Sequence, residues 1–469
     1  MLLHRCEWDD YHVEHPGRLS AVLQKLENSD LLHRCICLQA KEADLEDVAL
    51  VHSRHYIEQF ASTEHMTLEE LEKFASTFDD IYLNNHSYRA ALISAGVSLL
   101  TLEAVLSTNT RNSASFAAVR PPGHHASFEK ACGFCIFNNV AICAKKARTL
   151  GVEKVLIIDW DVHAGQGTQY AIADDPNIKL ISIHRYEHGL FWPHLCENDN
   201  TINVPLNGTG FGDSEYVSFI QHLVVPVIFD FLPNLILISA GFDAAYGDEE
   251  GNMNLTPAGY YWMTKLVVDA AAAISAPLCM LMEGGYFADS LAYGVQFCME
   301  ALLDNDGPEI QLGFCSPGFL YSLHNSILHH AHEFPNLQLL ADVTRSIRIL
   351  YSVSPIKVCS LDFNLLFFKA LDDECQFCKI SKDQCEVYAT RGLYSPQEES
   401  LSQNCQHQLQ QIVENYTYTS KTEPMLPLVF VKKISENRQL EPEIQMEMDD
   451  SHYKIIINFM QLHVGTYFV

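Results

Sequence analysis

The chain has 469 residues, 48% of them hydrophobic and 10% aromatic, which is enough for a large buried core and too apolar for a disordered chain. Its formal net charge of −29 argues against direct nucleic-acid binding and suits cationic substrates. Fifteen cysteines behind a start, "MLLHRCEWDD", without an apolar leader-length run point to reduced thiols in a cytoplasmic or nuclear protein.

Short apolar runs with turn signals behind them fall at "SFAAV" (115–119), "KVLIID" (154–159), "IKLISIH" (178–184), "NLILISA" (234–240) and "PLCMLM" (277–282). Between them lie helix-like segments, "FNNVAICAKKARTLG", "SEYVSFIQHLVVPVIFDF" and "TPAGYYWMTKLVVDAAAAI". Apolar strands separated by amphipathic helices predict an α/β fold, an open parallel sheet sandwiched by helices, with ligands beyond the carboxyl ends of the strands. Residues 322–353 can be helical and close this domain, so a boundary is set at 353/354, followed by a small C-terminal extension of uncertain fold. In that extension "CQFC" (375–378), Cys385, Cys405 and His407 read as free thiols before they read as a small zinc site, and the acidic "EPEIQMEMDD" reads as a solvated loop. The apolar tail is too short and too polar to span a bilayer, and no membrane segment is expected.

Polar residues cluster where the strand rule expects them. "SFAAV" is followed by "RPPGHH", "KVLIID" by "WDVHAGQG", "NLILISA" by "GFDAAYGD" and "PLCMLM" by "EGGY". Four strand ends therefore deliver His124, His125, Asp161, His163, Asp243 and Tyr286 to one edge. Asp159, Asp161 and His163 point the same way if extended geometry continues. With Asp243, Asp161 and His163 make a three-ligand set of the catalytic-zinc type; the competing reading has Asp159 and Asp161 capping the next helix. His124 and His125 are open to two roles, ligands or acid and base. The phenol of Tyr286, exposed after two glycines, can donate to a developing oxyanion.

Together, "RPPGHHA", "GFCIFNNVAI", "DWDVHAGQGTQY", "SIHRYEHGLFWP", "SAGFDAAYGD" and "MEGGYFADSL" resemble the zinc-dependent histone deacetylases, in particular the class IIb branch of tubulin and polyamine deacetylases, over residues 5–310. The resemblance implies an arginase/deacetylase-like fold and hydrolysis of an acetyl amide. It implies zinc on Asp161, His163 and Asp243, with His125 as general base, His124 as electrostatic and proton-donating partner, and Tyr286 as the donor to the acetyl carbonyl. It further implies that Asp159 orients His124 and builds a structural potassium site with Ser182, and that Phe134 and Trp192 flank a narrow tunnel. Glu250, seven residues after Asp243, stands where the polyamine branch has a glutamate gate, and Asp80 matches an acidic rim position of the same branch.

Several features depart from the family. Ala164 replaces a second histidine, "HPGRL" (15–19) stands for a Pro-Glu-Arg motif, the rim segment "HLCENDN" is short, and the first strand of such domains is missing. The expected activity is deacetylation of N-acetyl-lysine in proteins, histone or non-histone such as tubulin. An acetylpolyamine such as acetylspermidine is the alternative substrate, and an inactive acetyl-lysine-binding module ranks third. Acetylated proteins or acetylpolyamines are then the expected partners.

Overall fold

The computed structural model describes residues 1–108, 113–193, 200–342, 399–418, 443–449 and 452–458. Six parallel strands form one sheet: β1 (Ala114–Ala117), β2 (Val155–Asp159), β3 (Ile178–Arg185), β4 (Thr201–Leu206), β5 (Leu235–Ala240) and β6 (Leu278–Met282), in the spatial order β1-β6-β5-β2-β3-β4. The five apolar runs all become strands, because chains dominated by Val, Ile and Leu can bury both faces of a parallel sheet. The alternation is explicit in β2, where Leu156 and Ile158 enter one core and Val155 and Ile157 the other.

The first core lies under the helices Gly17–Asn28, Pro257–Ile274, Ala288–Leu302 and Pro317–His330; the second lies under Ser87–Ser107 and Asn139–Thr149. β4 carries no run in the sequence reading. Its "TINVPL" includes Asn203 and Pro205, which the edge of the sheet tolerates because one side of the strand needs no ladder partner. Among the described residues, Ser87–Ser107 alone has the length and apolar character to cross a membrane, yet 61% of its most apolar window is buried inside the fold.

Part of the chain beyond 353/354 returns to this body. The helix Glu399–Glu414 buries Leu409, and Gln406 Nε2 donates to Asp289 at 2.7 Å. The Tyr416 hydroxyl donates to Thr256 Oγ1 and accepts from the Ala258 amide, each at 3.1 Å. The expected solvated loop at 441–450 is corrected: Glu443–Asp449 (β7) pairs antiparallel with His452–Asn458 (β8). Its "EIQMEMD" alternates apolar residues with acidic or amide ones, which is strand periodicity despite the charge. Cys375, Cys378 and Cys385 lie outside the described residues, as does most of the short rim, 194–199.

Candidate active site and metal centre

The four strands whose loops carry the candidate residues, β1, β6, β5 and β2, are consecutive in the sheet. Because they run parallel, their carboxyl ends open on one edge, and the loops converge there.

Asp161, His163 and Asp243 are buried with their ligand atoms within 4.8 Å of one another. Nδ1 of His163 lies 3.3 Å from Asp161 Oδ1 and 3.1 Å from Asp243 Oδ2. A tetrahedral ion with bonds of about 2.0–2.1 Å separates its ligand atoms by about 3.3 Å, so this spacing fits one small cation. The far oxygens are committed elsewhere: Asp161 Oδ2 accepts from the Gly284 amide at 2.9 Å and Asp243 Oδ1 from the Val162 amide at 2.8 Å. Backbone donors thereby aim the other two oxygens at the imidazole. A Cβ on Gly284 would fall 2.4 Å from Asp243 Oδ2 and 2.5 Å from Asp161 Oδ2, so only glycine fits beneath the pair. Burial and the neighbouring Asp161 push Asp243 up to about 7, while burial's downward pull on His163 is outweighed by Asp161 and Asp243, which hold it at about 9. Without a metal ion the His163 proton offsets the carboxylate charge, and a cation held by the same three side chains would take the place of that proton.

His124 and His125 sit beside this group in contrasting surroundings. Nδ1 of His124 is 3.0 Å from Asp159 Oδ2, and its Nε2 is 3.7 Å from Asp161 Oδ1. Burial works against its charge, but Asp161 and Asp159 prevail and keep it protonated up to about 10. His125 turns Nδ1 to the Gln166 Oε1 at 2.6 Å. Burial and the nearby His124 and His163 drive its pKa well below the usual imidazole value. One histidine is thus held as a cation and its neighbour as a neutral base, a separation typical of acid–base pairs.

Supporting residues that sequence reading did not assign surround them. Glu283 Oε2 accepts from the Gly123 and His124 amides at 2.6 and 3.2 Å. The side chain of Asn138 caps the helix Asn139–Thr149 by accepting from the Ala141 amide at 2.9 Å and donates to the Ala126 carbonyl at 2.9 Å. Glu283 stood in the quoted "EGGY", and Gln166 in "AGQG", where a polar residue near a histidine loop was the available signal. Ala164, where relatives of the family carry a second imidazole, is buried and its carbonyl accepts from the Gln166 amide at 2.9 Å.

Aromatic side chains border the group. Trp192 lies 4.7 Å from the His125 ring and 5.9 Å from His163, and donates Nε1–H to Asp79 Oδ2 at 2.9 Å. Phe134 meets Tyr286 edge-on at 5.6 Å. Phe134 has φ 64° after Gly133 at 52°, a two-residue turn that Cys132 and Cys135 close by exchanging backbone bonds. The Phe134 amide donates to the Asp80 carbonyl at 2.9 Å, so Asp80 fixes the position of this wall through its backbone. Burial raises the Tyr286 phenol well above its usual pKa, keeping it a hydrogen-bond donor. Its loop is pinned by Arg18, from "HPGRL", which donates to the carbonyls of Glu283 (2.6 Å) and Gly285 (2.5 Å) and lies 4.9 Å over the Tyr286 ring. Arg18 is in turn paired with fully buried Glu14 at 2.9 Å. Glu250 follows on the loop after β5, its amide donating to Asp248 Oδ1 at 3.0 Å. Ser182 lies opposite Asp159 in the β2–β3 register, and its hydroxyl is 2.8 Å from His184 Nδ1. Cys405 and His407 lie on the helix Glu399–Glu414, His407 within 2.9 Å of Gln411.

A parallel α/β sandwich gathering two carboxylates, three imidazoles and a phenol at its strand ends has the arginase/deacetylase-like architecture. The Histone deacetylase domain profile matches residues 12–302, and the chain belongs to that family. It is 41% identical over 320 residues to "Polyamine deacetylase HDAC10" of Homo sapiens, covering 65% of this chain and 47% of that protein. To "Histone deacetylase clr3" of Schizosaccharomyces pombe it is 36% identical over 315 residues, covering 63% and 45%. The solved HDA15 HD domain superposes with a TM-score of 0.65 at 31% identity, covering 76% of this chain and 96% of that one. The chain spans about half the length of the curated relatives it matches.

Proposed function

We propose that the chain is a zinc-dependent deacetylase acting on acetylpolyamines. The observation that carries the substrate is Glu250, an acidic side chain seven residues beyond Asp243 in a chain that is 41% identical to a polyamine deacetylase. A rim carboxylate favours a cationic chain over a neutral one. Family membership and the Asp161–His163–Asp243 spacing support zinc. Bound there, zinc supplies Lewis acidity and an open coordination position.

The chain's own residues account for the proton movements. Oε1 of Gln166 can only accept, so His125 carries its hydrogen on Nδ1 and leaves Nε2 free to take a proton from the attacking water. His124, charged and anchored on Asp159, offsets developing negative charge and supplies a proton to the leaving amine. Tyr286 donates its phenolic hydrogen to the acetyl oxygen as that oxygen gains charge. Phe134 and Trp192 exclude water from the linear substrate, and Asp80 adds a second acid to the rim. Asp159 and Ser182, register partners in β2 and β3, are the residues that would hold a structural potassium ion in this reading.

Deacetylation of N-acetyl-lysine in proteins is the second reading, favoured by the likeness to clr3. Turnover of acetylspermidine and of a neutral acetyl-lysine peptide, each with and without chelator, separates them. A higher kcat/KM on acetylspermidine is expected; preference for the peptide reverses the assignment, and chelator-resistant activity removes zinc.

A further inference from the structure

One buried carboxylate has no part in the chemistry above. Asp248 is only 3% exposed and lies on the loop that follows β5, with its side chain against the loop that follows β6. Its Oδ1 accepts from the Glu250 amide at 3.0 Å. Its Oδ2 accepts from the amides of Tyr286 at 2.6 Å and Phe287 at 3.1 Å. Its own amide donates to the Ala245 carbonyl at 3.1 Å, and its carbonyl accepts from Asn252 at 3.1 Å, so the carboxylate sits on a fixed base. Three backbone donors from two loops converge on this one buried side chain, and a buried amide left without its acceptor is costly, so the contacts hold both loops to it.

What these bonds hold matters more than their number. The position of a residue's amide sets where its side chain begins. Asp248 therefore fixes the root of Glu250, assigned to the rim, and the root of Tyr286, assigned to the acetyl oxygen. We propose that Asp248 is a positioning residue that couples substrate discrimination at Glu250 to carbonyl polarisation at Tyr286, so that the two loops shift as one body. The duties of Glu250 and Tyr286 rest on the function proposed above; the coupling of the two backbones does not. If a cationic substrate end draws Glu250 inward, the same carboxylate carries the displacement to Tyr286. Discrimination is then expressed in kcat as well as in KM.

The test uses the full-length chain with Asp248→Asn, whose amide nitrogen cannot accept a backbone hydrogen bond. Zinc content is expected to stay unchanged. The kcat on acetylspermidine should fall about 10- to 100-fold, the scale for misplacing a reacting group by about 1 Å. The preference for acetylspermidine over a neutral acetyl-lysine peptide should fall toward that of Glu250→Leu. Without any substrate, amide hydrogen exchange in segments 246–252 and 284–288 of Asp248→Ala, which removes both acceptor oxygens, should accelerate together. Acceleration in one segment alone, or a lowered kcat with unchanged preference, overturns the coupling. If the variant does not fold, the unaltered protein decides. Across sub-denaturing urea, the amides of Glu250, Tyr286 and Phe287 should open with one common free energy, and separate openings overturn the proposal. An unaltered protein inactive on both substrates sinks the deacetylase reading, while the exchange data still judge the coupling.

Discussion

His125 gives its Nδ1 hydrogen to Gln166 Oε1 at 2.6 Å. A neutral partner leaves burial and the neighbouring histidines free to keep this imidazole uncharged, the state a base needs. Gln166→Glu places a carboxylate on the same nitrogen and raises the His125 pKa. Activity then requires a higher pH to deprotonate the base. The acidic limb of the kcat/KM profile is expected to move upward by about one unit or more. An unmoved limb in a zinc-loaded variant removes His125 as the base.

Asp243→Asn alters the candidate metal site at one atom. The Val162 amide holds Oδ1 at 2.8 Å, so the substituted amide keeps its oxygen there and turns NH₂ toward His163 and Asp161. Zinc measured by elemental analysis should be lost together with turnover. Retained zinc with full activity excludes Asp243 as a ligand.

Tyr286→Phe removes only the hydroxyl from a ring packed on Phe134 and Arg18. The expected result is unchanged zinc, nearly unchanged KM and a kcat lower by about 10²–10³, the usual loss for one oxyanion donor. A change confined to KM makes Tyr286 a wall residue.

His52 sets a pH limit on stability. It is buried, its Nε2 accepts from the Asn138 amide at 2.9 Å, and burial lowers its pKa to about 4. The neutral form is the folded form, so this stabilisation is complete above the unfolded value of about 6.5 and is lost as pH falls toward 4. At pH 5 the loss is about 2 kcal/mol. Urea unfolding at pH 7 and pH 5 should show it, and His52→Gln, whose Oε1 can accept the same bond, should shrink the difference by about that amount. An equal pH dependence in both proteins assigns acid sensitivity elsewhere.

The strands and their polar loops were legible because a two-sided parallel sheet imposes continuous apolar runs, and chemistry must emerge where those runs stop. Asp161, His163 and Asp243 could be paired from that rule before any distance was known. β4 was not legible, since Asn203 and Pro205 interrupt the apolar signal and only its edge location makes them tolerable. Asp248 and Glu283 were hidden for another reason. Each acts on backbone amides from a different strand end, a relationship set by the fold and absent from any local spacing. The return of Tyr416 to Thr256 across 160 residues belongs to the same class.

Glu250 is the residue on which the proposed choice between the two substrates is tested. It follows Asp248 on a loop whose backbone is tied both to Asp243, at its start, and to Tyr286, through Asp248, so its position relative to the chemistry is set by bonds and not by chance. A partly exposed carboxylate contributes on the order of 1 kcal/mol to a cationic contact, or about fivefold in rate or affinity. In the proposed reading the distal ammonium of acetylspermidine meets that charge, whereas a neutral acetyl-lysine peptide has nothing to offer it. Glu250→Leu should therefore lower kcat/KM on acetylspermidine by about fivefold or more and leave the neutral peptide unchanged or improved. Raising salt should erode the acetylspermidine advantage of the unaltered protein and have little effect on the variant, because exposed charges are screened within about 10 Å at 0.1 M. Equal losses on both substrates make Glu250 a structural acid on the loop, and the balance then returns to protein N-acetyl-lysine.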